Sequence, residues 1–557
     1  IRAYYNNGAN CNLKLSTFLN QKLGPLFDAC ILDLETGQKH WIDSDSGWEN
    51  VVIRNENEYI SLAFENPGNG KFKDLTVLVK GWAVSSENRI EWTVDVLNDS
   101  NRISVLSVTY PNIFFQGENL DIFVPVNCGE LINDCCSYST HLYGSYPSGG
   151  TFVMPYFAIY ASSCDYTDSC DNAARDDKTE GNINPNRNNI SFNYNNTNYK
   201  NEELYVNNGL YVAVHDDRGS RKDISLNTFG NGKQGILSFS YPAVNYGEAA
   251  NAFSLPGCMV WQIFSGDWYD ATLIYKSFVH NYAKWIPKVG NEGREDTPLW
   301  MREVPFWIMD WMPNDNPDAD PIPISVRPEK EETDRDSWYK NPLLLREKLG
   351  VPCGYHVYNW HWIPFNNDYP HYFPTKAGFT EGVKIMEQND IHVMPYINGR
   401  IWDTKDRRDQ DYQFSSKAKQ GAVKKESGEL SIETYASHEP DGTLVKLATM
   451  CPSSHIWKKT IENIAKKLFN ECGVSAIYID QIAAAYSNLC MDKSHNHLPG
   501  GGSWWVEAYW NFMNRVNGVK PANCIYTSES NAEVYVKSFD GYLTWIWINS
   551  NQVPAFP

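Results

Sequence analysis

Short runs in which apolar and polar residues alternate dominate the first half of the chain. Their period of two predicts β-strands over residues 59–64, 75–84, 89–97, 103–108, 209–215 and 235–241. Gly, Asn and Pro punctuate these runs, the grammar of an antiparallel sandwich. Residues 165–200 break the pattern: rich in Asn and Asp and poor in apolar positions, they predict a long surface insertion. Residues 1–270 therefore read as an N-terminal β-sandwich domain with an insertion near 164–200.

The pattern changes after residues 266–270. A helical period over 271–285 opens a helical linker spanning 271–300. Apolar and aromatic runs over 305–310, 353–360, 391–397, 476–479, 524–527 and 541–547 then alternate with helical segments, among them 382–389, 456–471 and 504–516. This βα repeat predicts a (β/α)8-type barrel over 301–557. About six barrel strands precede Pro557, so the barrel reads as incomplete at its C-terminal side, with the polypeptide continuing or a further polypeptide or domain supplying the rest of the wall. The fold class is multidomain β plus α/β.

With 557 residues, 42% hydrophobic, the chain can bury more than one core. Its formal charge of -19 includes no block of Lys and Arg, which argues against nucleic acid or an anionic membrane surface as partner. The longest apolar runs, such as 257–264, are far too short to span a membrane. No signal peptide is visible, but the first residue is Ile, as expected of a mature or incomplete form. Thirteen cysteines leave at least one without an intramolecular partner. Cys164 and Cys170 flank the Asp-rich insertion as a disulfide or as two thiols, while the adjacent Cys135 and Cys136 are expected to pair elsewhere rather than with each other. Acceptor triplets at Asn98, Asn189 and Asn195 suit an exported glycoprotein, and extracellular or secretory-pathway residence is the expectation.

Candidate chemistry lies at strand ends. The runs Ala476-Ile477-Tyr478-Ile479-Asp480 and Cys524-Ile525-Tyr526-Thr527-Ser528-Glu529 each stop at a carboxylate, which a barrel places at its catalytic mouth. Cleaving a glycosidic bond with retention needs two carboxyls about 5–5.5 Å apart, one to attack the anomeric carbon and one to protonate the departing oxygen. Asp480, short and rigidly placed, suits the nucleophile; Glu529, with the longer reach, suits the acid/base. The alternative is that both merely begin loops or cap helices.

The surroundings favour a sugar. Trp360, His361, Trp362, Trp504, Trp505, Trp545 and Trp547 set flat rings beside polar groups, the combination that stacks on sugar faces while binding hydroxyls. Trp307, Trp311, Trp402 and Tyr478 enlarge that inventory, although many of the 20 Trp must be ordinary core. Asp310, Asn398, Arg400, Asp403, His495 and Asp540 are candidate hydroxyl-binding or orienting residues near strand ends.

Other chemistries fit less well. The histidine pairs 356/361 and 495/497 lack zinc-protease spacing, Cys451 and Cys472 lack an evident histidine partner, and neither a metal nor another cofactor is expected. Asp165, Asp168 and Asp171 lack regular calcium-loop spacing and read as a solvated acidic loop before a metal site. The run 499–503 has no phosphate-loop ending and reads as a flexible substrate loop. A carbohydrate isomerase or lyase would need a metal or base cluster not evident here.

The segment Trp360-His361-Trp362-Ile363-Pro364-Phe365-Asn366-Asn367-Asp368-Tyr369-Pro370-His371-Tyr372-Phe373-Pro374, with Tyr478-Ile479-Asp480-Gln481 and Thr527-Ser528-Glu529-Ser530-Asn531-Ala532-Glu533, resembles an uncharacterised glycoside-hydrolase-like family related to endo-α-N-acetylgalactosaminidases and α-galactosidase-type barrels. The resemblance covers mainly residues 255–557. It implies an N-terminal supersandwich packed on the barrel, usually a further C-terminal β domain, which is not expected within these 557 residues, and retaining hydrolysis of α-linked sugars. It also implies a fourth-strand nucleophile, here Asp480, and a later strand-end acid/base, here Glu529. The expected partner is a carbohydrate or a glycoprotein glycan; the rival expectation is a non-catalytic glycan-binding or structural protein on the same scaffold.

Overall fold

A computed structural model describes residues 24–56, 59–117, 119–161, 208–291, 293–312, 337–406, 413–544 and 553. The insertion near 164–200, with Cys164, Cys170, Asn189 and Asn195, lies outside the described residues, as do Trp545 and Trp547.

The N-terminal region is built from antiparallel β-sheets, one of six strands and one of ten. Period-two patterning does the work: in Leu75–Val84 the residues Leu75, Val77 and Val79 are wholly buried while their neighbours face outward. Predicted strands recur with small changes of boundary, the largest being Ile103–Gln116, which continues well past residue 108 because its far end pairs with Gln234–Pro242. Asn98 is buried, and its side-chain amide donates to the Ile103 and Asn251 carbonyls at 2.9 and 3.2 Å. It braces a loop and is closed to glycosylation in the folded chain. Cys135 and Cys136, expected to find other partners, are both free and buried with their sulfurs 3.9 Å apart; every cysteine among the described residues is free.

The change of grammar is marked by Gly266, whose φ of +123° lies outside the comfortable range of other residues; a Cβ there would sit 1.8 Å from Asp270. Asp267 then caps the helix Trp268–Tyr282 in a reciprocal capping box with Asp270.

Six parallel strands follow in sequence order: Trp307–Trp311, Cys353–Tyr358, Ile391–Asn398, Ala476–Asp480, Ile525–Glu529 and Gly541–Leu543. They form a curled, incompletely closed sheet, a half-barrel. Its second strand is buried along its whole length, as expected of a sheet covered on both faces. The helices Ser337–Leu349, Phe379–Glu387, His455–Lys467 and Trp504–Asn517 cover the outside; the last turns Trp505, Tyr509, Phe512, Met513 and Val516 inward on one helical stripe. No helix among the described residues is long and apolar enough to cross a membrane.

After the third strand the chain makes an excursion that forms a small sheet from Ile401–Asp403, Ile432–Glu433 and Leu447–Thr449. After the fourth, a long loop runs to Trp504. The sandwich region grips this loop: Gly149 and Gly150 donate to the carbonyls of Ala483 and Ala484 at 3.0 and 3.1 Å, and Gly501 donates to Ala243 at 2.9 Å. The glycine run 499–503 is therefore not a flexible substrate loop. A Cβ on Gly501 would lie 2.0 Å from the Pro242 carbonyl oxygen, so the glycines permit close docking between the two regions.

Candidate active site

The parallel register brings Asp480 and Glu529 together. Ile479 pairs with Ser528, so the next residue on each strand, Asp480 on the fourth and Glu529 on the fifth, ends side by side at the mouth. The two carboxyls are near enough for Glu529 to act on the protonation of Asp480. Both residues keep partial exposure to solvent. The residue after each one, Gln481 and Ser530, has a left-handed backbone, φ +67° and +58°. Such conformations cost about 1–3 kcal/mol outside glycine and persist where the surroundings enforce them. Here the chain must turn sharply off the strand to leave the carboxylate pointing into the mouth, and the Gln481 side-chain amide is tied to the Tyr435 hydroxyl at 2.6 Å.

Neutral donors converge on Asp480. The Tyr396 hydroxyl donates to Oδ2 at 2.8 Å, Asn398 Nδ2 to the same oxygen at 3.2 Å, and the Tyr478 hydroxyl to Oδ1 at 3.4 Å. Burial pushes the Asp480 carboxyl above its ordinary range, while Tyr396, Glu529 and the Gln481 backbone oppose the rise. The hydroxyl and amide donors favour the ionised Asp480 and so act against the rise that burial imposes.

Asn398 is fully buried and spans two tasks: its amide touches Asp480 while its Oδ1 accepts from the backbone of Arg400 and Ile401 at 2.8 and 3.1 Å. Arg400 is buried too, pairing with Glu433 and donating Nη2 to Asn488 at 2.9 Å. Burial alone would raise Glu433, yet the Arg400 guanidinium and the Tyr435 hydroxyl hold it below its ordinary value. A polar chain Arg400–Glu433–Tyr435–Gln481 thus runs up to the residue beside Asp480. Arg400 acts here as a brace, with its cationic head already committed.

Register also decides which aromatics reach the site. Trp311 pairs with Tyr358, and their rings stack at 4.4 Å; Tyr358 stacks in turn on Tyr396 at 5.0 Å. The half-buried Trp311 thus starts a row of stacked rings that leads along the inner face to Tyr396 and Asp480. Asp310 falls on the other face. It pairs with Val357, and its Oδ2 accepts from the Tyr355 hydroxyl at 3.2 Å, a tyrosine that packs on Trp338 of the covering helix. Adjacent strand residues point to opposite faces, so Trp311 and Asp310 cannot both face the mouth.

The remaining predicted contacts disperse. Trp360 is wholly buried, with Nε1 donating to the Tyr396 carbonyl at 2.8 Å, and it packs on Tyr372 and Phe379 as core. His361 is buried beside it, its ring bonded to the Ile363 carbonyl and its pKa lowered by burial to about 3. Trp505 is core of the last helix; Trp504 donates to the Gly500 carbonyl and stacks on His497. Trp402 packs on Trp457, and Asp403 is buried, accepting from the Asp368 backbone at 2.9 Å. Asp540 sits at the opposite end of the sheet: it precedes the sixth strand and accepts from Thr297, from Lys520 and from the backbone of Tyr526. His495 faces Cys490 and the Gln420 carbonyl, not the carboxylates. The site tyrosines Tyr358 and Tyr396, and the residues Glu433, Tyr435 and Gln481, were signalled in sequence only by their nearness to strand ends.

The structure thus sets two strand-end acids side by side among hydroxyl and amide donors on a half-barrel. Residues 253–556, just over half of the chain, match Domain of unknown function (DUF6259), and the chain belongs to that family. It is 29% identical over 357 residues to a protein from Bacteroides thetaiotaomicron named "Putative glycoside hydrolase", covering 62% of this chain and 47% of that one. It is 27% identical over 377 residues to "Putative glycoside hydrolase 22789" from Monosiga brevicollis, covering 63% and 30%. The chain thus spans about half of the first relative's length and under a third of the second's. Among solved structures it shares the fold of the α-N-acetylgalactosaminidase NagBb from Bifidobacterium bifidum, with a TM-score of 0.64 and 10% identity over 92% of this chain and 72% of that one.

Proposed function

We propose that the chain is a retaining glycoside hydrolase acting on α-linked sugars of galactoside or N-acetylgalactosaminide type, displayed on a carbohydrate or a glycoprotein glycan. The observation that carries this reading is the contact between Asp480 and Glu529 at adjacent strand ends, with neutral donors gathered on Asp480. Carboxyls on adjacent strand ends favour the narrow spacing of a retaining reaction over the wider gap that an inverting one keeps for water. Glu529, as general acid, donates a proton to the glycosidic oxygen as Asp480 attacks the anomeric carbon. In the second step Glu529 takes a proton from water, and the water oxygen replaces Asp480 at that carbon. Tyr396 and Asn398 orient the nucleophile, and Trp311 offers its ring to the sugar face. Of the two sugar types, the N-acetylgalactosaminide is suggested by the name of NagBb, the solved structure that shares the fold.

The test is release of aryl alcohol from a panel of aryl α-glycosides by the purified chain, beside Asp480→Asn and Glu529→Gln. Turnover that collapses in both variants supports the reading and names the sugar. Absence of turnover on every member, with glycan binding retained, assigns the scaffold to binding instead.

A further inference from the structure

Cys451, Cys490, His495 and His497 bring one ligand atom each into a group within 4.8 Å of one another, and three of the four are buried. The two cross-distances are 3.6 Å from Cys451 Sγ to His497 Nε2 and 3.4 Å from Cys490 Sγ to His495 Nδ1. A tetrahedral zinc ion about 2.3 Å from sulfur and about 2.0–2.1 Å from nitrogen sets sulfur and nitrogen ligands about 3.5 Å apart. We infer that these four side chains form a structural zinc site of the two-thiolate, two-imidazole type.

A second observation points the same way. Each histidine turns one nitrogen toward a sulfur and commits the other to a backbone carbonyl: His495 Nε2 to Gln420 at 2.7 Å, His497 Nδ1 to Leu498 at 2.9 Å. That hydrogen bond fixes the tautomer so that the inward nitrogen carries a lone pair, the arrangement that zinc-bound histidines adopt. Asp492 adds an outer carboxylate 3.7 Å from His495 Nε2, itself paired with Lys424 at 2.7 Å, and Trp504 stacks on His497 at 3.6 Å and 6°. Four ligands close the coordination sphere, which leaves no open position for catalysis and makes the site structural. Thiolate and imidazole donors select zinc over calcium or magnesium.

The site staples two segments that sequence does not join. Cys451 ends the excursion after the third barrel strand, just past Leu447–Thr449; the other three ligands lie in the loop after the fourth. That loop carries Gln481 and Asn488, which contact Tyr435 and Arg400 beside the carboxylates. The metal would therefore hold the wall of the mouth without touching substrate. The inference stands whether or not the chain is a glycosidase.

The experiment is metal analysis of the full chain purified without a polyhistidine tag, by mass spectrometry of bound elements and by cobalt substitution. Stoichiometric zinc is expected, replaced by cobalt with the intense visible bands of a tetrahedral site and a thiolate charge-transfer band. Cys490→Ser should lose the zinc and lower Tm. Should that variant fail to fold, His497→Gln, at the partly exposed corner, decides: it should weaken zinc retention by more than the about 10–100-fold that loss of an outer hydrogen bond costs. A Cys451–Cys490 disulfide in peptide mapping, absence of zinc, or zinc unchanged in His497→Gln would each overturn the assignment.

Discussion

The two ends of the half-barrel carry acids at strand termini and use them in opposite ways. At the floor, Asp540 precedes the sixth strand and is neutralised by Lys520 Nζ at 3.1 Å, with Thr297 and the Tyr526 backbone filling its remaining valence. At the mouth, the donors to Asp480 are hydroxyls and amides, and its other neighbour is a second carboxyl. A paired acid is spent on holding two elements together; an acid met by neutral donors and a like charge keeps its proton chemistry available. Sequence position alone made both look like candidates.

Breaking the contrast at the mouth gives the largest effect. Asp480→Asn should abolish turnover while leaving thermal unfolding unchanged or shifted upward, because a partly desolvated carboxyl is removed with its donors still satisfiable in part; loss of Tm alongside activity would make Asp480 a structural acid like Asp540. Glu529→Gln should slow turnover by about 10²–10⁴-fold, the range of general acid/base catalysis, with the loss smallest for substrates whose leaving group needs no proton. Tyr396→Phe removes one hydrogen bond to the Asp480 carboxyl, so stability should fall by up to about 1.5–3 kcal/mol in denaturant unfolding, with kcat lowered as Asp480 loses an orienting donor. At the floor the signs reverse. Asp540→Ala should cost about 2–4 kcal/mol by stranding Lys520 and the Tyr526 amide, measured by denaturant unfolding, with kcat per folded molecule preserved.

The smallest effect sharpens the comparison at a third acid, Glu533, which joins the regions: it accepts from Tyr146 of the sandwich at 2.9 Å and from Tyr275 of the helix Trp268–Tyr282 at 2.6 Å. Burial raises its pKa from 4.5 to about 8. A carboxyl raised on folding stabilises the fold fully below its unfolded value, and that contribution is lost as pH rises through the folded one. Stability should therefore decline between pH 4.5 and about 8. Asp403, raised by burial to about 7, shares the lower part of the window, and Asp480 is raised too, so the share of Glu533 is read from its own variant. In Glu533→Gln the upper part of the Tm profile should flatten; an unchanged slope would place the titration elsewhere.

Apolar periodicity by itself determined the β character of the first half, six of its strands, and the six barrel strands with their helices, because burial of one face or both is written locally at periods of two and 3.6; other sandwich strands, among them Asp28–Asp33 and Lys222–Phe229, lie outside that reading. It also determined that Asp480 and Glu529 end strands, which in a parallel barrel is enough to bring them to one mouth. What only the tertiary structure decided is which face and which partner each side chain meets. Trp311 and Asp310 are neighbours whose fates turn on the register with Tyr358 and Val357. Trp360 and Trp505 have a composition suited to sugar stacking and are core. Cys451 and His497 are separated by 46 positions and meet only because two loops pack together. Such contacts depend on pairing over long sequence separations, and no local period encodes them.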